Sequence, residues 1–217
     1  MSDISGNTVK ENTIAPLLGA SLLFITTALL LSGGNFTELT RTYAPAGQTS
    51  YLFSKIMAIF VYVLMWWQIM LGLVNKVNTK HHILLGLSVF SLILMHVLLF
   101  ISAVSIRQGE LKLGMLLPDF TSDYYKSGLS FGVMALFFIV IATFTGVFRK
   151  KLQSFWKLGH SLVYITFALA TTHGLMIGSD VNSAVFSYIV YGSVFSLILA
   201  FVYKKRKRLN PVRRFQV

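Results

Sequence analysis

Six stretches of this chain run for twenty residues or more without an Asp, Glu, Lys or Arg: 12–37, 56–75, 83–106, 127–148, 158–179 and 181–203. At ~1.5 Å per residue, each is long enough as a helix to cross a hydrocarbon core of ~30 Å. In lipid the backbone must satisfy its own hydrogen bonds, which leaves helices or closed barrels. The stretches show none of the apolar–polar alternation of a barrel strand. The sequence therefore predicts an all-α integral membrane protein, a bundle of six transmembrane helices. The 217 residues are 55% hydrophobic and only 12% charged, too few charges for a water-exposed domain of this length.

The net charge of +12 does not point to nucleic acid, because of where the charges fall. With alternate connections on opposite sides, one side collects 14 Lys and Arg and the other 5. The richer side holds the N-terminus, the two short turns and the tail, so the positive-inside rule places both termini in the cytoplasm. The run Lys204 to Arg208 reads as an anchor to anionic lipid headgroups, with docking of an acidic partner as the alternative. Residues 1–12 carry Lys10 against Asp3 and Glu11, unlike the positive leader of a signal peptide, so the first stretch is read as a membrane span. Cysteine is absent, which removes disulfides, thiolate metal sites and covalently attached haem.

The expected organisation is a cytoplasmic segment, 1–12, a six-helix domain, 13–203, and a basic tail, 204–217. The spans fall at about 13–31, 51–74, 81–105, 127–148, 158–177 and 181–203. The longest connection, 106–126, contains Pro118, Tyr124 and Tyr125 and reads as an interfacial segment. The basic turn 149–157 places Trp156 in the aromatic belt.

All five histidines lie in the third and fifth spans: His81, His82 and His96 in one, His160 and His173 in the other. Ionisable residues inside a bilayer are costly and usually functional. One such histidine could simply hydrogen-bond between helices; two pairs at matched spacing say more. His96 follows His82 by fourteen positions, and His173 follows His160 by thirteen. At about 1.5 Å per residue, these intervals are roughly 21 Å and roughly 19.5 Å along their helices. Both spans run in the same direction, so His82 faces His160 at one depth and His96 faces His173 at another. Each opposed pair suits the two axial positions of a haem iron, leaving no open site. Zinc or copper fits less well, with two histidines per level and no intramembrane carboxylate near them. At ~100° per residue, fourteen steps return to within ~40° of the starting face, whereas thirteen leave His173 ~140° from His160. The fifth span must compensate by rewinding, a kink or differing rotamers. His81 is within ~60° of His96 and remains an alternative to His82.

These residues resemble the ferric reductase-like transmembrane domain of ferric reductases, NADPH oxidases and the membrane subunit of the bacterial methionine sulfoxide reductase system. The likeness covers about Tyr51 to Tyr203. It rests on His82 with Gly86 and His96 in the third span, and on Trp156, Lys157, His160, Tyr164 and His173 around the fifth. The resemblance implies two b-type haems, one held by His82 and His160 near the cytoplasm and one by His96 and His173 near the outer face. It also implies Lys55 as a partner for an outer-haem propionate, against simple snorkelling to the headgroups. The oxidases carry an inter-haem aromatic six residues after the first histidine of the fifth span; here that position is Thr166, and the adjacent Phe167 reads as packing.

No GxGxxG follows a strand, so a flavin and nicotinamide domain of the kind fused to the larger family members is not expected here. The implied function is transmembrane electron transfer from a cytoplasmic flavoprotein or reduced flavin to ferric iron, oxygen or an extracytoplasmic redox protein. The expected location is a bacterial inner membrane. Arg107, Lys112 and Lys126 could steer an anionic ferric chelate, although Glu110, Asp119 and Asp123 offset their charge. Two other readings stand beside this one: a quinol-linked haem anchor of a larger complex, and a haem-free transporter or proton channel using histidine relays.

Overall fold

A computed structural model describes residues 43–74, 78–121, 123–180 and 183–209. Its helices are α1 (Gln48–Val74), α2 (Thr79–Gln108), α3 (Tyr124–Val147), the one-turn α4 (Arg149–Leu152), α5 (Phe155–Ile177) and α6 (Ala184–Leu209), with a 3₁₀ turn at Leu113–Leu116. Five of these helices are long and apolar enough to cross a membrane, and the protein is a multi-pass α-helical membrane protein. They correspond to the second to sixth predicted spans. The first, at about 13–31, lies outside the described residues, as do the N-terminal segment and the tail beyond 209.

The helices outrun the predicted spans at several ends because capping groups, not the edge of the apolar run, stop them. Asn78 starts α2 by accepting a hydrogen bond from the Lys80 amide at 3.0 Å, as an N-cap side chain does. Gly109 ends the same helix in the left-handed region, at φ 71°, a conformation that glycine adopts without strain. The Asp123 carboxylate accepts from the Lys126 amide at 2.6 Å and starts α3. Helix α6 continues through the basic run. Its Lys204 Nζ reaches the Gly72 carbonyl at 3.2 Å, tying the basic end of α6 to the last turn of α1.

Two antiparallel hairpins form the frame. Helix α1 packs along α2, and α3 packs along α5 in the closest pairing among the described residues. Helix α6 lies beside α1 and runs parallel to it, joined by Tyr62 Oη to Ser193 Oγ (2.7 Å) and Trp66 Nε1 to Ser196 Oγ (3.0 Å). The main buried cluster gathers Met65, Ile69 and Leu73 of α1 with Val89, Phe167, Leu197 and Ala200. Phe167, read from sequence as packing, is buried there and stacks on Tyr62 with ring centroids 5.1 Å apart. Helix α2 buries least, showing Leu84, Leu94, Met95 and Leu98 outward, as a lipid-facing helix does.

Candidate functional site

Helices α2 and α5 bear all five histidines, and their backbones barely approach each other among the described residues. Each is packed against its hairpin partner instead. Between them lie facing side chains at one level and a cavity at another.

At the first level the imidazoles of His82 and His160 face one another, with centroids 6.1 Å apart and planes inclined at 76°. Metal–nitrogen bonds of about 2 Å on opposite sides of one iron place two imidazole centroids about 6 Å apart. The inclination is no obstacle, since both planes can contain the shared axis at any angle about it. At the second level, His96 and His173 line one cavity of about 250 Å³, whose wall also includes Ser54, Lys55, Thr166 and Asp180. His81 is exposed and shows no such juxtaposition.

Backbone carbonyls decide which ring nitrogen is free. His96 Nδ1 lies 2.9 Å from the Ser54 carbonyl, His173 Nδ1 2.9 Å from the Gly128 carbonyl, and His160 Nδ1 3.1 Å from the Ala142 carbonyl. A carbonyl oxygen can only accept, so in the neutral ring Nδ1 carries the proton and Nε2 keeps its lone pair. This is the tautomer a metal-binding histidine adopts when an outer partner orients it. His82 differs: its Nδ1 is buried with no hydrogen-bond partner, and Gln68 Nε2 donates instead to its backbone carbonyl at 3.1 Å.

The supporting residues repeat at an interval of fourteen, equal to that of His82 and His96 and one more than that of His160 and His173. Ser54 and Gln68, which serve His96 and His82, are fourteen positions apart on α1. Gly128 and Ala142, whose carbonyls accept on α3, are also fourteen apart. So are Gly132 and Gly146, where an added Cβ would sit 2.7 Å from His173 Nδ1 and 3.0 Å from His160 Nδ1. Both α5 imidazoles thus lie over glycines of α3. Helix α5 is unbroken across both histidines. The offset of ~140° between their positions is therefore met without interruption of the helix.

Three placements differ from the sequence reading. Lys55 neither stands free nor snorkels; its Nζ lies 2.8 Å from Asp180 Oδ1, with side chains 14% and 4% exposed. That oxygen meets no aligned hydrogen bond, so the contact is one of charge. Asp180 also corrects the expectation that no carboxylate lies near the histidines, because the chain just past α5 keeps it in the wall of the second-level cavity. Among the described residues, however, no group of three or more His, Asp and Glu could hold a metal ion. Trp156 belongs to the first turn of α5, its ring 5.8 Å from that of His160.

The fold and site define a helical membrane protein in which His82 and His160 face each other between two hairpins and His96 and His173 line one cavity. The chain belongs to a domain family of unknown function (DUF8596), whose profile matches residues 48–180, from the first residue of α1 to Asp180. No curated protein and no solved structure matches it.

Proposed function

We propose that the protein is a dihaem b-type membrane cytochrome that carries electrons across the bilayer. The observation that supports this reading best is the facing of His82 and His160 across a gap between helices that do not pack, with His96 and His173 lining one cavity and Nδ1 of three of the four turned to backbone carbonyls. His82 and His160 would hold one haem, His96 and His173 the other. Bis-imidazole haem iron supplies one-electron chemistry with no open coordination position.

The chain's own residues do the rest. The carbonyls of Ser54, Gly128 and Ala142 orient the rings and keep Nε2 bare. Gly132 and Gly146 make room for the rings, and the apolar wall excludes water. A proton relay fits less well, because an Nδ1 proton held by a carbonyl cannot leave without breaking that bond. In this reading the chain has six spans, counting 13–31, with both termini cytoplasmic in a bacterial inner membrane. A cytoplasmic flavoprotein or reduced flavin donates near His82 and His160. The acceptor, ferric iron, oxygen or a redox protein, is met beyond His96 and His173.

The purified chain should show the Soret and α-bands of low-spin b haem and two haems per chain. Alanine at His82, His96, His160 or His173 should remove one haem each. A colourless preparation rules the proposal out; loss of a haem from His81→Ala but not His82→Ala would move the ligand to His81.

A further inference from the structure

The four imidazoles leave one pair of charges in the same cavity unexplained. Lys55 follows Ser54, which holds His96, on α1; Asp180 lies three residues past the end of α5, which bears His173. Their 2.8 Å contact therefore joins the α1–α2 hairpin to the α3–α5 hairpin across the cavity that His96 and His173 line. The ion pairs Lys112–Glu110 and Lys126–Asp119 stay within the connection between α2 and α3 and the first turn of α3. At the first level the two hairpins meet through the facing rings of His82 and His160.

A buried charge in an apolar surround is tolerated when it is paired, and removing one member leaves the other uncompensated. The pair therefore adds a charged bond between two hairpins that also meet through the stacked rings of Tyr62 and Phe167, at the level where a plate-shaped cofactor must slide between them. We propose that Lys55 and Asp180 form a clamp that fixes the separation of the two hairpins at the second level. Asp180 is then a positioning residue for the haem between His96 and His173. The inference rests on the haem reading. It differs from a role for Lys55 as counter-ion to a haem propionate: in that role Asp180 competes for the lysine, and neutralising it leaves occupancy intact or improves it.

The test uses the full chain, purified in detergent from haem-sufficient cells, as wild type, Lys55→Met, Asp180→Asn and the exchange Lys55→Asp with Asp180→Lys. Haem per chain and the low-spin electron paramagnetic resonance signals are measured. Each single variant should fall from two haems to roughly one, the surviving signal being the one that His173→Ala also leaves. The exchanged pair should restore two. Retention of both haems in Asp180→Asn overturns the clamp, as does loss of both haems in the single variants or failure of the exchange to rescue. A colourless wild type overturns the haem reading itself and this inference with it.

Discussion

His96 Nδ1 is held at 2.9 Å by two acceptors of one residue, the carbonyl and the hydroxyl of Ser54, while that hydroxyl donates to the His96 carbonyl at 2.8 Å. Ser54 is 1% exposed, so these bonds form away from water. Ser54→Ala removes the hydroxyl but leaves the carbonyl, so the tautomer should persist and both haems should be retained. The lost hydrogen bond should cost about 1 kcal/mol of stability. It should also weaken the electron donation of His96, raising the second-level midpoint potential while the first stays in place. Redox titration of the two α-bands checks this; equal shifts at both levels contradict it.

Gly132 and Gly146 make a sharper prediction because no rotamer relieves a Cβ. Gly132→Ala would place a methyl 2.7 Å from His173 Nδ1, and Gly146→Ala one 3.0 Å from His160 Nδ1. Overpacking of this kind costs about 1–3 kcal/mol. In the proposed reading it also moves a haem ligand. Gly132→Ala should lose the second-level haem, and Gly146→Ala should weaken the first-level haem less severely. Gly72→Ala is the control, since an added Cβ there has no neighbour within 4 Å. It should leave haem stoichiometry at two.

How much of this is legible in sequence follows from what each residue must do. The described spans show as runs free of charge, because lipid penalises charge wherever the neighbours are. The histidines show because little else brings imidazole into such runs at intervals of fourteen and thirteen. Ser54, Gln68, Gly132 and Gly146 are ordinary residues for a membrane helix, and they gain meaning only when one helix is set against another in register. Their common spacing of fourteen, equal to that of His82 and His96, is the available signal. Asp180 looks like a loop residue in sequence because it sits between two apolar windows. Its burial depends on the chain folding back beside Lys55, which no local pattern reveals.

If the proposed function holds, the connection between α2 and α3 bears on acceptor capture. Arg107 donates to Gln48 Oε1 at 3.2 Å, Lys112 pairs with Glu110, and Lys126 lies 3.6 Å from Asp119. All three basic residues named as candidates for steering a ferric chelate are thus engaged. The Lys112 ammonium holds the exposed Glu110 carboxyl below its usual range, so that pairing is present at neutral pH and fades as pH falls through the carboxylate range. Exposed pairs contribute little to stability and are screened by salt. Reduction of an anionic ferric chelate should therefore change less than about threefold between low and physiological ionic strength. A steep fall in rate with salt would show that the charges steer after all.

At the first level, His82 is oriented through its backbone instead of its ring. Gln68 Nε2 donates to the His82 carbonyl, and Gly86 lies against that amide, where an added Cβ would come within 2.8 Å of the same nitrogen. With Nδ1 lacking a partner, His82 depends on helix placement more than the other three histidines do. Gln68→Leu keeps the side chain's bulk and removes the donor, at a cost of about 0.5–1.5 kcal/mol. Gly86→Ala pushes the amide away while leaving it chemically intact. Both should loosen the first-level haem selectively, seen as faster haem loss to an apohaem acceptor from one of two kinetic phases. The slower phase should keep its wild-type rate. If both phases quicken together, the amide supports the α1–α2 hairpin as a whole and not the His82 ligand in particular.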